Sequence, residues 1–161
     1  MTDPITIRVY GSPAPQGSKR AFAIRKGGIP TGKVAVIESS HDRVKSWRQA
    51  VIDEARKITA HMDGPLTGPL SLRMIFYVAR PKGHYGSGRN AERLKPGAPA
   101  YPGKPPDLSK LARATEDALT DVGIWADDAQ IVRYAELAKY YCAAPFIQPG
   151  ALIEISQMEI R

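Results

Sequence analysis

The chain has one cysteine, Cys142, so no intramolecular disulfide can form within it and no cysteine-based zinc site is available. A small buried thiol in a reducing compartment is the expectation. Its three histidines, His41, His61 and His84, are too scattered for a metal triad and read as surface residues. No apolar run is long enough to span a bilayer. The first residues, Met-Thr-Asp-Pro-Ile, lack a basic stretch leading into an apolar one, so no secretory signal is expected and the cytoplasm is the predicted location. No internal repeat is visible.

Acidic residues are scarce in two segments. Residues 1–40 hold Arg8, Lys19, Arg20, Arg25, Lys26 and Lys33 against Asp3 and Glu38. Residues 80–104 hold Arg80, Lys82, Arg89, Arg93, Lys95 and Lys104 against Glu92. The formal net charge is +7. Clustered positive charge neutralises phosphates and releases condensed counterions, so nucleic acid is the natural partner, although many soluble proteins are basic without one.

The 161 residues, 43% of them hydrophobic, suffice for one domain with a real core. Ile5 to Gly11 alternates like a half-buried strand. SPAPQGSKR follows as a loop ending in Lys19 and Arg20. Short strands near Phe22–Ile24 and Val34–Ile37 flank a Lys-Gly-Gly turn. A helix is predicted from about Asp42 to Thr59, with Val44, Trp47, Val51, Ala55 and Ile58 at three- and four-residue steps and Ser39 or Ser40 as its cap. Leu70 to Val78, LSLRMIFYV, reads as a central strand. Ala79 to Pro106 is a long loop rich in Gly, Pro and basic residues, a kind that is usually functional or disordered. A second helix, Asp107 to Val122, is stopped by Gly123, and strands Ile131–Tyr141 and Ala151–Ile160 complete an α+β domain: a mixed β-sheet with two main helices packed on it.

Along the second helix, Leu108, Leu111, Ala112, Thr115, Ala118, Leu119 and Val122 form an apolar arc. Asp107, Lys110, Arg113, Asp117 and Asp121 form a charged one, in which Arg113 and Asp117 can pair. By itself Asp107 reads as an N-cap, and Asp127-Asp128 as a turn. Together they place carboxylates around a helix in a basic protein, as a divalent-metal site acting on a polyanion requires. Sixteen helical residues span roughly 24 Å, and Asp128 would need almost full extension at about 3.4 Å per residue to return to Asp107. The metal is therefore expected nearer the middle of the helix, or in a site completed by the helix of a dimer partner.

The run PDLSKLARATEDALTDVGIWADDAQIV resembles the central signature of RusA-type Holliday-junction resolvases: Asp-Leu-Asp-Asn-Leu, a basic residue, Asp-Ala-Leu, a short turn, then Asp-Asp-x-Gln-Val. GSPAPQGSKR and PKGHYGSGRNAERLKPGAPAYPGKPPDL are similar to the first-strand loop and the linker of phage-type members. The resemblance implies a RusA-like fold and a homodimeric, Mg²⁺-dependent endonuclease (Mn²⁺ as substitute) that nicks four-way DNA junctions symmetrically. It assigns metal binding and catalysis to Asp107, Asp128 and Asp127, and a catalytic cation to Arg113 where the family usually has lysine. Lys19, Arg20, Lys82, Arg89, Lys104 and Lys110 would contact DNA phosphates. Ser109 stands where the second motif carboxylate belongs, which removes charge from a site for a hard cation. The alternative is a junction- or duplex-binding protein with weakened or no nuclease activity.

Overall fold

The central strand, β4 (Leu70–Val78), has neighbours on both edges in the computed structural model, which describes residues 3–17, 19–38, 41–144 and 146–159. The side chains of residues 19, 20 and 36–38 also lie outside the described set, as do Ser39 and Ser40 with their expected cap. Strands β1 (Ile5–Tyr10), β6 (Gly150–Gln157), β4 and β5 (Ile131–Tyr141) form one sheet in the order β1-β6-β4-β5. β6 pairs antiparallel with β1 and β4, whereas β4 and β5 run parallel. A parallel pair needs a long crossover, and here the 79–106 loop and α2 (Leu108–Asp121) supply it.

Alternation decides which face of the sheet is covered. Ile7, Val9, Leu70, Leu72, Met74, Phe76, Ala151, Ile153 and Ile155 are buried against one side of α1 (His41–Thr59) and α2. Val44, Trp47, Val51 and Ala55 come from α1, and Leu111, Ala112, Ala118 and Leu119 from α2. The two helices are joined through the buried indole of Trp47, whose Nε1 donates to Thr115 Oγ1 at 3.0 Å. On the opposite face Arg73 bridges Glu136 at 2.8 Å and Glu154 at 3.0 Å across three strands.

The α+β architecture, the central strand and β5 are as the periodicity predicts. Other expectations need correction. β2 (Lys19–Lys26) and β3 (Ile29–Glu38) are longer than the short strands predicted, and they take in Lys19 and Arg20, which were assigned to the preceding loop. The reason is the turn between them: Gly27 and Gly28 both have positive φ, 58° and 82°, the geometry of a two-residue hairpin whose twist lets the strands pair right up to the turn. The 79–106 loop is held by specific bonds. Lys95 N donates to His84 O at 2.9 Å, Lys95 Nζ to Gly83 O at 2.8 Å, and Arg80 donates to Pro99 O at 2.7 Å with its guanidinium 4.0 Å from the Tyr141 ring centroid. His84 is half-buried, edge-on to Tyr141, and is not the surface residue expected. No helix among the described residues is long and apolar enough to cross a membrane.

Candidate active site

Asp107 is the N-cap of α2, yet its side chain makes no capping hydrogen bond. Its backbone carbonyl accepts from Leu111 N at 3.1 Å, while its exposed carboxylate lies 3.2 Å from Lys110 Nζ. The chain reaches Asp107 through the cis Pro105–Pro106 peptide, and this approach is tethered to β5. Lys139 Nζ donates to the carbonyls of Lys104 at 2.8 Å and Pro106 at 2.7 Å. A hollow of about 470 Å³, lined by His84, Tyr101, Tyr141 and the two prolines, borders the same approach.

Farther along α2, Glu116 is 9% exposed and accepts a short hydrogen bond from the Tyr134 hydroxyl of β5. Burial pushes the Glu116 carboxyl up from its ordinary range, the Tyr134 hydrogen bond opposes that shift, and the charges of Asp128 and Asp117 add to it. Tyr134 is pushed up as well, first by burial and then by its bond to Glu116, with a further contribution from Asp128. Asp128 is thus an electrostatic neighbour of the Glu116–Tyr134 pair, in the C-terminal half of α2 rather than at its mouth. Ser109 and Glu116 are seven residues apart and fall within roughly 20° of each other around the helix axis, with Arg113 on the same flank.

Asp127 has a different task. It caps the tight turn Asp128–Gln130: its Oδ1 accepts from Ala129 N at 2.8 Å, and Gln130 Oε1 accepts from Asp127 N at 3.2 Å. Gln130 Nε2 then donates to the carbonyls of Leu66 and Gly68, fixing the turn to the segment that leads into β4. Asp127 therefore positions Asp128 whatever else it does.

The charge of Asp128 is felt at Glu116, roughly 13 Å along the helix axis from Asp107. Among the described residues no three His, Cys, Asp or Glu side chains are placed to hold one metal ion. The predicted Arg113–Asp117 pair does not form. Asp117 and Asp121 instead face Arg48 of α1, at 3.8 Å for Asp117 and in a short contact for Asp121, while Arg113 is exposed. Lys82, Arg89 and Lys104 are exposed on the loop. Glu116, Tyr134 and Lys139 escaped the sequence reading. The faint signal for Glu116 was its heptad spacing from Ser109, which puts a carboxylate back on the flank where Ser109 removes one.

No curated protein matches the chain closely enough to count as a relative. The family model for endodeoxyribonuclease RusA matches residues 12–149, which take in the hairpin, both helices, Asp107 and the Asp127–Asp128 turn. A match over that share of the chain, on a fold whose crossover helix is flanked by exposed aspartates, places this protein in the RusA endodeoxyribonuclease family.

Proposed function

We propose that the protein is a homodimeric, Mg²⁺-dependent endonuclease that resolves four-way DNA junctions by paired symmetric nicks in the cytoplasm, with Mn²⁺ able to replace Mg²⁺. The observation that carries this reading is the RusA match, which spans every carboxylate assigned to the site. Asp107, Asp128 and the free oxygen of Asp127 are hard donors of the kind Mg²⁺ takes. Bound there, the ion supplies water activation and charge stabilisation for phosphodiester hydrolysis.

Asp107 and Glu116 are nine residues apart, roughly 13 Å along the helix axis. Carboxylates so separated cannot share an ion coordinated at about 2.1 Å. A C2 dimer resolves the difficulty by completing each site with the partner's helix, and it matches the two-fold symmetry of paired cuts. Arg113, exposed on the Ser109–Glu116 flank, adds positive charge beside the scissile phosphate. It keeps the charge of the family's lysine but cannot act as a proton donor or acceptor in the same way. Lys19, Arg20, Lys82, Arg89, Lys104 and Lys110 hold the DNA backbone.

The decisive experiment incubates the protein with a synthetic four-way junction and Mg²⁺, alongside Asp107→Asn and Asp128→Asn. Paired nicks lost in both variants, with junction binding retained, are expected. Nicking that survives both substitutions would refute this site. Ser109 in place of a motif carboxylate favours one second reading, a junction-binding protein without nuclease activity, which predicts salt-sensitive binding and no nicks in Mg²⁺ or Mn²⁺.

A further inference from the structure

Among the described residues the β2–β3 hairpin pairs within itself and joins no strand of the four-stranded sheet. Every residue from Ala21 to Val34 is exposed, on both faces of the ribbon. Phe22 is 49% exposed, Ile29 71% and Val34 62%. A lone two-stranded ribbon is at best marginally stable in water, so apolar side chains on one are expected to meet another surface.

Charge selects what that surface is. From Lys19 to Ile37 there is no acidic residue, while Arg25 and Lys26 lead into the Gly27–Gly28 turn and Lys33 follows on the returning strand. A two-fold contact of the hairpin with its own copy would set this acid-free ribbon against itself, whereas a polyanion complements it, so the dimer partner is left to the helices and the ribbon to a polyanion. The shape agrees. An eight-residue strand extends about 27 Å, and a two-stranded ribbon fits the major groove of B-DNA, about 12 Å wide. Apolar side chains on such a ribbon can contact thymine methyl groups and sugar edges.

We propose that the β2–β3 hairpin is a DNA-gripping arm, in which Arg25, Lys26 and Lys33 neutralise phosphates of one duplex limb of the substrate, away from the carboxylates of α2. The inference rests on the branched-DNA reading above and extends its contacts from Lys19 and Arg20, where β2 begins, to the turn end of the hairpin.

The test measures binding of a four-way junction in EDTA, without cleavage, as a function of salt. It compares the wild type with the triple variant Arg25→Ala/Lys26→Ala/Lys33→Ala. Three lost phosphate contacts should reduce the slope of log K against log salt by about 2.7, at roughly 0.9 per phosphate. Sedimentation of the pair Phe22→Ser/Ile24→Ser gives the second readout. An unchanged mass is expected if the arm grips DNA. A triple variant with the wild-type slope, or a halved mass in the Phe22/Ile24 pair, overturns the arm while leaving the nuclease reading intact. A wild type with no affinity for the junction overturns both.

Discussion

The Tyr134 hydroxyl donates a hydrogen bond to the Glu116 carboxylate, tying β5 to α2 at the place where Asp128 arrives from the turn. The register of β5 against β4 makes this possible. Leu72 lies opposite Tyr134 and Arg73 opposite Glu136, so the pairing skips Ala135, a register shift of the bulge kind beside the site. Bulges recur next to active sites because they re-aim side chains.

Tyr134→Phe should cost about 1–3 kcal/mol, because it strips a buried carboxylate of its donor. Urea denaturation of the single variants and of Tyr134→Phe/Glu116→Gln measures it. The double variant should recover part of the loss, since the unpaired charge has gone. Equal stability of Tyr134→Phe and wild type would show that the bond contributes nothing in solution.

The raised Glu116 carboxyl also predicts a pH dependence. A carboxyl whose folded pKa lies above its unfolded value binds protons more tightly in the native state. Its contribution to stability is therefore greatest below the ordinary carboxylate value and declines as pH rises through it toward the folded value. Glu116→Gln should flatten that decline. The check is the urea midpoint of both proteins across the acid range, and parallel curves would contradict it.

Lys139 should matter for activity out of proportion to its distance along the chain from Asp107. Lys139→Met removes two charge-assisted bonds to the segment entering α2, at about 1.5–3 kcal/mol for such bonds. Expected is a fall in junction nicking with junction affinity largely kept, and partial rescue by Lys139→Arg. Loss of affinity with unchanged nicking at saturation would instead make Lys139 a DNA contact.

Of the glycines described, Gly150 leaves a side chain the least room. A Cβ there would lie 2.2 Å from the Val9 carbonyl oxygen of the paired strand. Gly150→Ala should destabilise by about 1–3 kcal/mol or more, since backbone must move to relieve the clash. The thermal midpoint measures it, and an unchanged value would mean that β1 and β6 are not paired as described.

Much of the fold was legible because burial writes periodicity into sequence. β4 reads as continuous apolar character since both its edges and its helix-covered face are enclosed, and α1 shows its inward side at Val44, Trp47, Val51 and Ala55. The hairpin's full length leaves little periodicity in the sequence, because its strands carry Lys and Arg instead of a buried face and a glycine turn sets their pairing. On α2 the apolar arc was right, but Glu116 was hidden. A lone carboxylate in a helix looks solvated until a hydroxyl from a distant strand meets it.

The sequence alone determined the α+β class, the two helices, the basic surface and the acidic residues around α2, all properties of local pattern and composition. Only the tertiary structure decided how those acids divide. It frees Asp107 from capping, commits Asp127 to a turn, turns Asp117 toward Arg48, and sets Asp128 beside Glu116 and Tyr134. The reason is that a carboxylate's role is set by its partner, and here Arg48 and Tyr134 come from other elements, α1 and β5, which only the fold brings against α2.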